Sequence, residues 1–219
     1  MAKDKLPPYQ VVAYFYNELD CYDVYVKAAR RMWHEETKNY DCGVVSEEGV
    51  KGYDYRSDLS YYISDEFPQH QNKAHVLMLV SLFEDFLIKL VNSVEAHCCE
   101  PYLPFERNKK QGILDRAKEY LKQQGEISLP VKNPAWSFIK DLVFIRNLIA
   151  HAGGCIDKKK NIAVARFVDR ESGLHVESYA RDYLIVHDEF VDKIIKEMKG
   201  FAKAMLDNNP PNKRDCSLI

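Results

Sequence analysis

The sequence FIRNLIAHAGG, residues 144–154, reads as the last turns of an apolar helix into which three polar residues are set. They are Arg146, Asn147 and His151, and the glycines that follow can close the helix in the left-handed conformation. An arginine in an apolar row is costly unless it meets an anion or several hydrogen-bond acceptors. The helix and its polar residues therefore need partners elsewhere in the chain.

Three more amphipathic helices are predicted around this one, which itself begins at Asn133 and Pro134 because proline suits a first helical turn. Residues 69–98 form the longest apolar stretch, and a face this broad must be buried against at least two neighbours. Residues 9–38 and about 107–124 repeat their apolar positions close to the 3.6-residue period. We expect the helix that carries Arg146 to pack centrally against residues 69–98.

The segment between the first two helices has no clear helical period. Residues 41–58 bear glycines and polar side chains, and they read as a long loop or a short hairpin. Asp58 can cap a short helix that Pro68 interrupts, since proline does not continue a helix freely.

Beyond residue 161 the period of the apolar residues changes to two. IAVARFV and LHVESY, on either side of DRESG, predict a β-hairpin at about residues 162–179. A last amphipathic helix follows, and residues 207–219 are expected to be a disordered tail. The sequence thus predicts one mainly α-helical domain over residues 1–206, a bundle of four or five helices with a small C-terminal β-hairpin.

The composition points to an ordinary globular protein in the cytoplasm. The chain has 219 residues and a formal net charge of −2, so any nucleic acid would have to bind a local basic patch. The N-terminus has no apolar leader, and the longest apolar run, VLMLVSLF, is too short to span a bilayer. No membrane partner is expected.

The sequence offers no pattern for a metal or a cofactor. His97 is followed by Cys98 and Cys99, but adjacent residues point in different directions, and no cysteine pair has zinc-site spacing. Carboxylates are not clustered in the way a magnesium site requires. We therefore expect neither a metal nor a cofactor.

The helical spacing separates the three polar residues into two sets. Asn147 and His151 are four residues apart and share a face. Arg146 and His151 differ by about 140° around the axis, so they need not touch within one chain.

Three interpretations of these residues remain open. In the first, Arg146 has a structural ion pair and His151 merely suits the negative end of the helix. In the second, both residues serve an interface with a partner. In the third, they form half of a phosphodiester-cleaving site, in which imidazole transfers protons and guanidinium binds phosphate. The acids that could pair with the arginine are Asp141, Glu84 and Asp85.

The stretch RNLIAHAGG resembles the R-x4–6-H motif of the HEPN superfamily, including the polar residue after the arginine that its ribonuclease members favour. LVSLFEDFLIKL looks like the second helix of those bundles, where acidic residues, here Glu84 and Asp85, often lie near the motif. The hairpin and last helix look most like the defence-associated RiboL-PSP-HEPN group. The resemblance covers roughly residues 65–205 and leaves the role of residues 1–60 open.

The resemblance implies a metal-independent endoribonuclease that acts as a homodimer on RNA, as a toxin or a phage-defence effector. His151 would be the base or orienting group for the ribose 2′-hydroxyl, Arg146 would hold the scissile phosphate, and Asn147 would fix the imidazole or contact phosphate. An inhibitor or sensor protein is a further possible partner. HEPN toxins restrained by a nucleotidyltransferase carry a tyrosine two positions after the histidine, where this chain has Gly153, so that arrangement is not implied.

A run of three lysines just past the motif is a candidate RNA-binding element. Lys158, Lys159 and Lys160 could contact flanking phosphates, or they could form a solvated turn. Two alternatives to the nuclease stay open: a non-catalytic HEPN module that binds nucleic acid or a partner protein, and a purely structural helical adaptor. The complete set of Arg146, Asn147 and His151 favours catalysis.

Overall fold

The computed structural model describes residues 6–41, 61–97, 105, 111–124, 127–178 and 180–209. As predicted, these residues are mainly helical, with a small antiparallel hairpin near the C-terminus. The helices are α1 (Pro8–Asp41), α2 (Phe67–His97), α3 (Ile113–Gln124), α4 (Pro134–Ala152), α5 (Ile162–Arg170) and α6 (Asp188–Asn208). The strands are β1 (Leu174–Ser178) and β2 (Asp182–Val186).

Helix α4 has the ends that its sequence predicts. The side chain of Asn133 accepts a hydrogen bond from the backbone N–H of Ala135 at 2.9 Å, and Pro134 follows this cap. At the other end Gly153 has φ +59°, and its N–H donates to the carbonyl of Ile149 at 3.0 Å. The glycine conformation satisfies the last carbonyls and turns the chain away just after the candidate site.

The core is built around α2, which contacts α1, α3, α4 and α6. Phe83, fully buried in the middle of α2, packs its ring against Phe15 of α1, Trp136 of α4 and Phe201 of α6, with ring centroids 5.4–6.4 Å apart. The expected central packing of α4 against the long apolar helix is therefore confirmed.

The hairpin lies later in the chain than predicted, and residues 162–168 are helical instead. In α5 the buried residues are Val164, Phe167 and Val168, which follow the i, i+3, i+4 spacing of a helix face. The hairpin pairs β1 with β2, with Leu174 opposite Val186. The segment IAVARFV is apolar at positions that suit either period, and packing against α4 selects the helix.

Pro68 does not interrupt the helix in which it lies. Tyr62–Glu66 form a π-helical turn that runs directly into α2. The N–H of Phe67 donates to the carbonyl of Tyr62, and this wider turn accommodates a residue that has no N–H of its own.

The prediction of a disordered tail from residue 207 is wrong at its first residues, and several other predictions fall on residues that the structure does not describe. Helix α6 extends through Asp207 and Asn208, so the first residues of the predicted tail are helical. Residues 210–219, Asp58 and nearly all of the predicted loop at 41–58 lie outside the described residues. None of the helices in the described part of the chain is both long and apolar enough to cross a bilayer.

Candidate functional site at the end of helix α4

Arg146 forms an ion pair with α2. Its Nη2 donates to both carboxylate oxygens of Glu84, at 2.7 and 2.8 Å, and its Nη1 donates to Oδ1 of Asn147 at 2.9 Å. The two charged side chains are each about one quarter exposed, 25% for Arg146 and 24% for Glu84. Among the three acids considered from the sequence, Glu84 is therefore the partner.

The other two acids are engaged elsewhere. Asp85 pairs with Lys89 one turn further along α2, at 2.7 Å, and both side chains are 53% exposed. Asp141 pairs with Arg170 of α5 at 3.0 Å. Asp85 thus lies next to Glu84 in sequence without joining the Arg146 network.

The hydrogen bonds that hold the guanidinium of Arg146 use only some of its N–H groups. Its Nε is buried and has no acceptor among the described residues. An arginine carries five N–H groups in a fixed planar fork, so two contacts to Glu84 and one to Asn147 leave donors over. Arg146 is anchored, yet it can still bind a further acceptor.

Asn147 and His151 face a groove instead of α2. The groove has a volume of about 1040 Å³ and runs between the end of α4, the first turn of α5 and the turn of the hairpin. His151 is exposed within it. The lining residues are Phe144, Asn147, Leu148, His151, Ala152, Cys155, Ile156, Asp157, Lys158, Lys159, Lys160, Asn161, Val164, Arg181 and Asp182.

The structure thus brings most of the predicted site residues together. Asn147, His151 and the three lysines line one groove, whereas Arg146 lies behind Asn147, against α2. The predicted divergence of Arg146 and His151 around α4 is observed. Asn147 connects the two sides, since its carbonyl oxygen accepts from Arg146 and its amide group belongs to the groove wall.

The lysine loop has a defined turn geometry. The carboxylate of Asp157 accepts hydrogen bonds from the backbone N–H groups of Lys160 and Lys159, and these bonds lower the pKa of Asp157. Lys160 also pairs with Asp157 at 3.5 Å, and Lys158 reaches Asp182 at the hairpin turn, at 3.7 Å. The lysines therefore sit on an ordered turn, and their exposed ammonium groups remain beside the groove.

Arg181 and Phe144 are groove residues that the sequence did not single out. Arg181 comes from the hairpin turn, which the sequence pattern predicts at residues 169–173 instead. Phe144 belongs to an apolar helix, in which the exposure of one ring is hard to foresee. Among the described residues, neither Arg181 nor Lys159 is paired with a carboxylate. Four basic side chains face two acidic ones, so the groove is positive even when its histidine is neutral.

A second, smaller pocket, with a volume of about 460 Å³, has Gly153 in its wall. In it the rings of His175 and His187 are stacked, with Nδ1 and Nε2 2.8 Å apart. Lys73 also lines the pocket, and burial lowers its pKa. These residues come from three separate elements, and no local sequence signal marks them.

The groove has the groups needed to bind a polyanion and to move a proton beside it. Basic side chains and the first turn of α5, whose N–H groups carry partial positive charge, favour phosphate. The imidazole of His151 is exposed in the groove and is a group that can take part in proton transfer. Asn147 adds an amide that is oriented by its bond from Arg146.

No model of a protein family matches the chain, and comparison with curated proteins and with solved structures gave no match either. The resemblance to the HEPN superfamily therefore rests on the residues of α4 and their setting.

Proposed function

We propose that the protein is a metal-independent HEPN endoribonuclease of the cytoplasm, which cuts RNA as a toxin or a phage-defence effector. The proposal rests mainly on one observation. His151 and Asn147 of α4 line a groove whose other lining residues include Lys158–Lys160 and Arg181. An imidazole beside several cations suits a reaction in which a phosphodiester is both bound and attacked.

The reaction that fits this set uses the substrate's own nucleophile. The ribose 2′-oxygen attacks the adjacent phosphorus and loses its proton to His151 or to a water that His151 orients. The bond from phosphorus to the 5′-oxygen breaks, and the leaving oxygen receives a proton from the histidine of a second copy or from water. The products are a 2′,3′-cyclic phosphate and a 5′-hydroxyl. Positioning supplies much of the rate, because the nucleophile is already part of the substrate.

Arg146 would stabilise the charge that develops on the phosphate oxygens. Because it lies on the α2 side of α4, this role requires a cleft that α2 and α4 share with a second copy. The outward faces of the two helices offer small or apolar side chains, exposed at Ala74, Met78 and Ser81 of α2 and at Ala150 of α4. A two-fold axis along these faces would bring two copies of the motif together.

The alternative is a non-catalytic module that binds nucleic acid or a partner protein through the same groove. A specific contact favours it: Glu84 already neutralises Arg146. If the guanidinium is only a structural tie between α2 and α4, the groove can bind RNA without cutting it.

Cleavage of labelled single-stranded RNA by the purified protein and by His151→Ala separates the two functions. Loss of proton transfer typically lowers a rate by ~10²–10⁴-fold, so the variant is expected to be nearly inactive while it keeps its fold. His34→Ala, which removes an exposed imidazole from α1 outside the groove, is the matched control and keeps the parent rate. Equal cutting by parent and His151→Ala would refute the assignment, and binding without cutting by the parent would favour the alternative.

A further inference from the structure

Phe144 is an exposed aromatic side chain on the wall of the groove. Its ring is 50% exposed, whereas Trp136 and Phe138, the other aromatic residues of α4, are almost completely buried and packed against other rings. Phe144 precedes Asn147 by three residues and His151 by seven, so all three lie on the groove side of α4. At 1.5 Å per residue, the ring is displaced from His151 by ~10 Å along the helix axis.

We propose that Phe144 stacks on the base of an unpaired nucleotide, and that the groove therefore takes single-stranded nucleic acid. This inference rests on the proposed function only in that RNA occupies the groove; it does not require cutting. Aromatic side chains beside a basic track are the general means by which proteins bind single strands.

The charges around Phe144 decide which occupant fits. An apolar surface of a protein would bury the ring, but it would also cover Lys159 and Arg181, which have no carboxylate partner among the described residues, and desolvating such charges is costly. A nucleotide offers a flat base to the ring and a phosphate to the cations. Single-stranded nucleic acid thus matches both the apolar and the charged parts of the groove.

The position of the ring also selects against duplexes. In a paired helix the faces of the bases are stacked on one another, and a side chain on the groove wall cannot reach them. A base placed on Phe144 would fix the register of the strand, so that a neighbouring phosphate lies near Asn147 and His151. The ring would therefore set which linkage is presented to the imidazole.

Binding of an uncleavable strand tests the inference. The probe is a fluorescent single-stranded RNA whose riboses carry 2′-O-methyl groups, and binding is followed by fluorescence anisotropy. Phe144→Leu, which keeps an apolar side chain, should weaken binding about 5- to 150-fold, the range expected for the loss of one stacked base. Phe144→Trp should bind as well as the parent. Tyr14→Leu, at a 56% exposed ring on α1, is the control and should bind like the parent.

The outcomes separate stacking from catalysis. Weaker binding by Phe144→Leu supports stacking even if the parent never cuts RNA. Unchanged binding by Phe144→Leu overturns stacking even if the parent cuts RNA well. The inference also fails if the parent binds no strand, if the variant loses affinity for blunt duplex RNA to the same extent, or if light scattering shows that Phe144→Leu separates copies of the chain.

Discussion

The ion pair with Glu84 offsets the free-energy cost of placing the charged Arg146 in an apolar row of α4. Its carboxylate accepts twice from one guanidinium nitrogen, in surroundings where both side chains are three quarters buried. The contribution of such a pair to stability lies between that of an exposed salt bridge, which is small, and that of a fully buried one, whose disruption is strongly destabilising. The pair therefore contributes both to the packing of α4 on α2 and to the position of Asn147.

Replacing Glu84→Gln should lower the free energy of unfolding by about 1–3 kcal/mol, because it leaves the Arg146 charge unpaired in a partly buried place. Urea denaturation of parent and variant measures the difference. Asp85→Asn, the adjacent control on α2, removes an exposed i, i+4 pair and should cost about 0.5 kcal/mol or less. A cost for Asp85→Asn that matches or exceeds that for Glu84→Gln would contradict this ranking.

Part of the candidate site was predictable because its residues are close together in the sequence. Arg146, Asn147, His151 and the lysine run are close in sequence, and helical geometry alone separates Arg146 from His151. Helical spacing also puts Phe144 on the face of Asn147 and His151, although it does not reveal that the ring is exposed. Arg181 joins the groove only through the packing of the hairpin turn beside α4, and no spacing in the sequence encodes that proximity.

Among the secondary-structure elements, α4 was predictable because its cap, its first-turn proline and its closing glycines all agree. The segment that became α5 was not, because Ile162, Val164 and Val168 alternate as in a strand, whereas Val164, Phe167 and Val168 share one face of a helix. Contact with α4 stabilises the helix instead of the strand. Because residues 162–170 are helical, the hairpin begins closer to the C-terminus than the sequence pattern predicts.

Gly173 lies in the connection from α5 to the hairpin, and only glycine suits the backbone there. A substitution of this residue therefore tests how the connection is built. It has φ +80°, and a Cβ there would lie 2.7 Å from the backbone nitrogen of Phe190. Gly173→Ala should therefore lower the free energy of unfolding by about 2 kcal/mol or more, since a left-handed conformation and a steric overlap add.

Gly200, in the middle of α6, is the matched control for that substitution. A Cβ at Gly200 meets no atom within 4 Å, so Gly200→Ala should raise stability by about 0.5–1 kcal/mol through helix propensity. Thermal and urea denaturation measure the change in the free energy of unfolding, which should be negative for Gly173→Ala and positive for Gly200→Ala. A stable Gly173→Ala protein would show that the connection between α5 and β1 differs from the one described.

For the whole molecule, the proposal requires two copies. Met78→Glu places a charge on an exposed position of α2, and it should convert a dimer into monomers that keep the helical content of the parent. Light scattering at micromolar concentration measures the mass, and RNA cleavage should fall with dimer content.

Met32→Glu on α1 is the control, because Met32 and Met78 are almost equally exposed, at 51% and 53%. It should leave both the mass and the cleavage rate unchanged. A parent that is monomeric yet cuts RNA, or a Met32→Glu variant that dissociates as Met78→Glu does, would contradict a dimer through α2 and α4.

If His151 acts on the 2′-hydroxyl of the RNA that is cut, cleavage needs that hydroxyl and no metal ion, and a comparison of two strands in excess EDTA tests both requirements. One strand is all-ribose, and the other has a single 2′-deoxy sugar on the 5′ side of the cut position. We expect the all-ribose strand to be cut at the same rate as without EDTA, with a 2′,3′-cyclic phosphate and a 5′-hydroxyl at the new ends, and the deoxy position to resist cleavage. Cutting at the deoxy position, or loss of all cutting in EDTA, would contradict this role of His151.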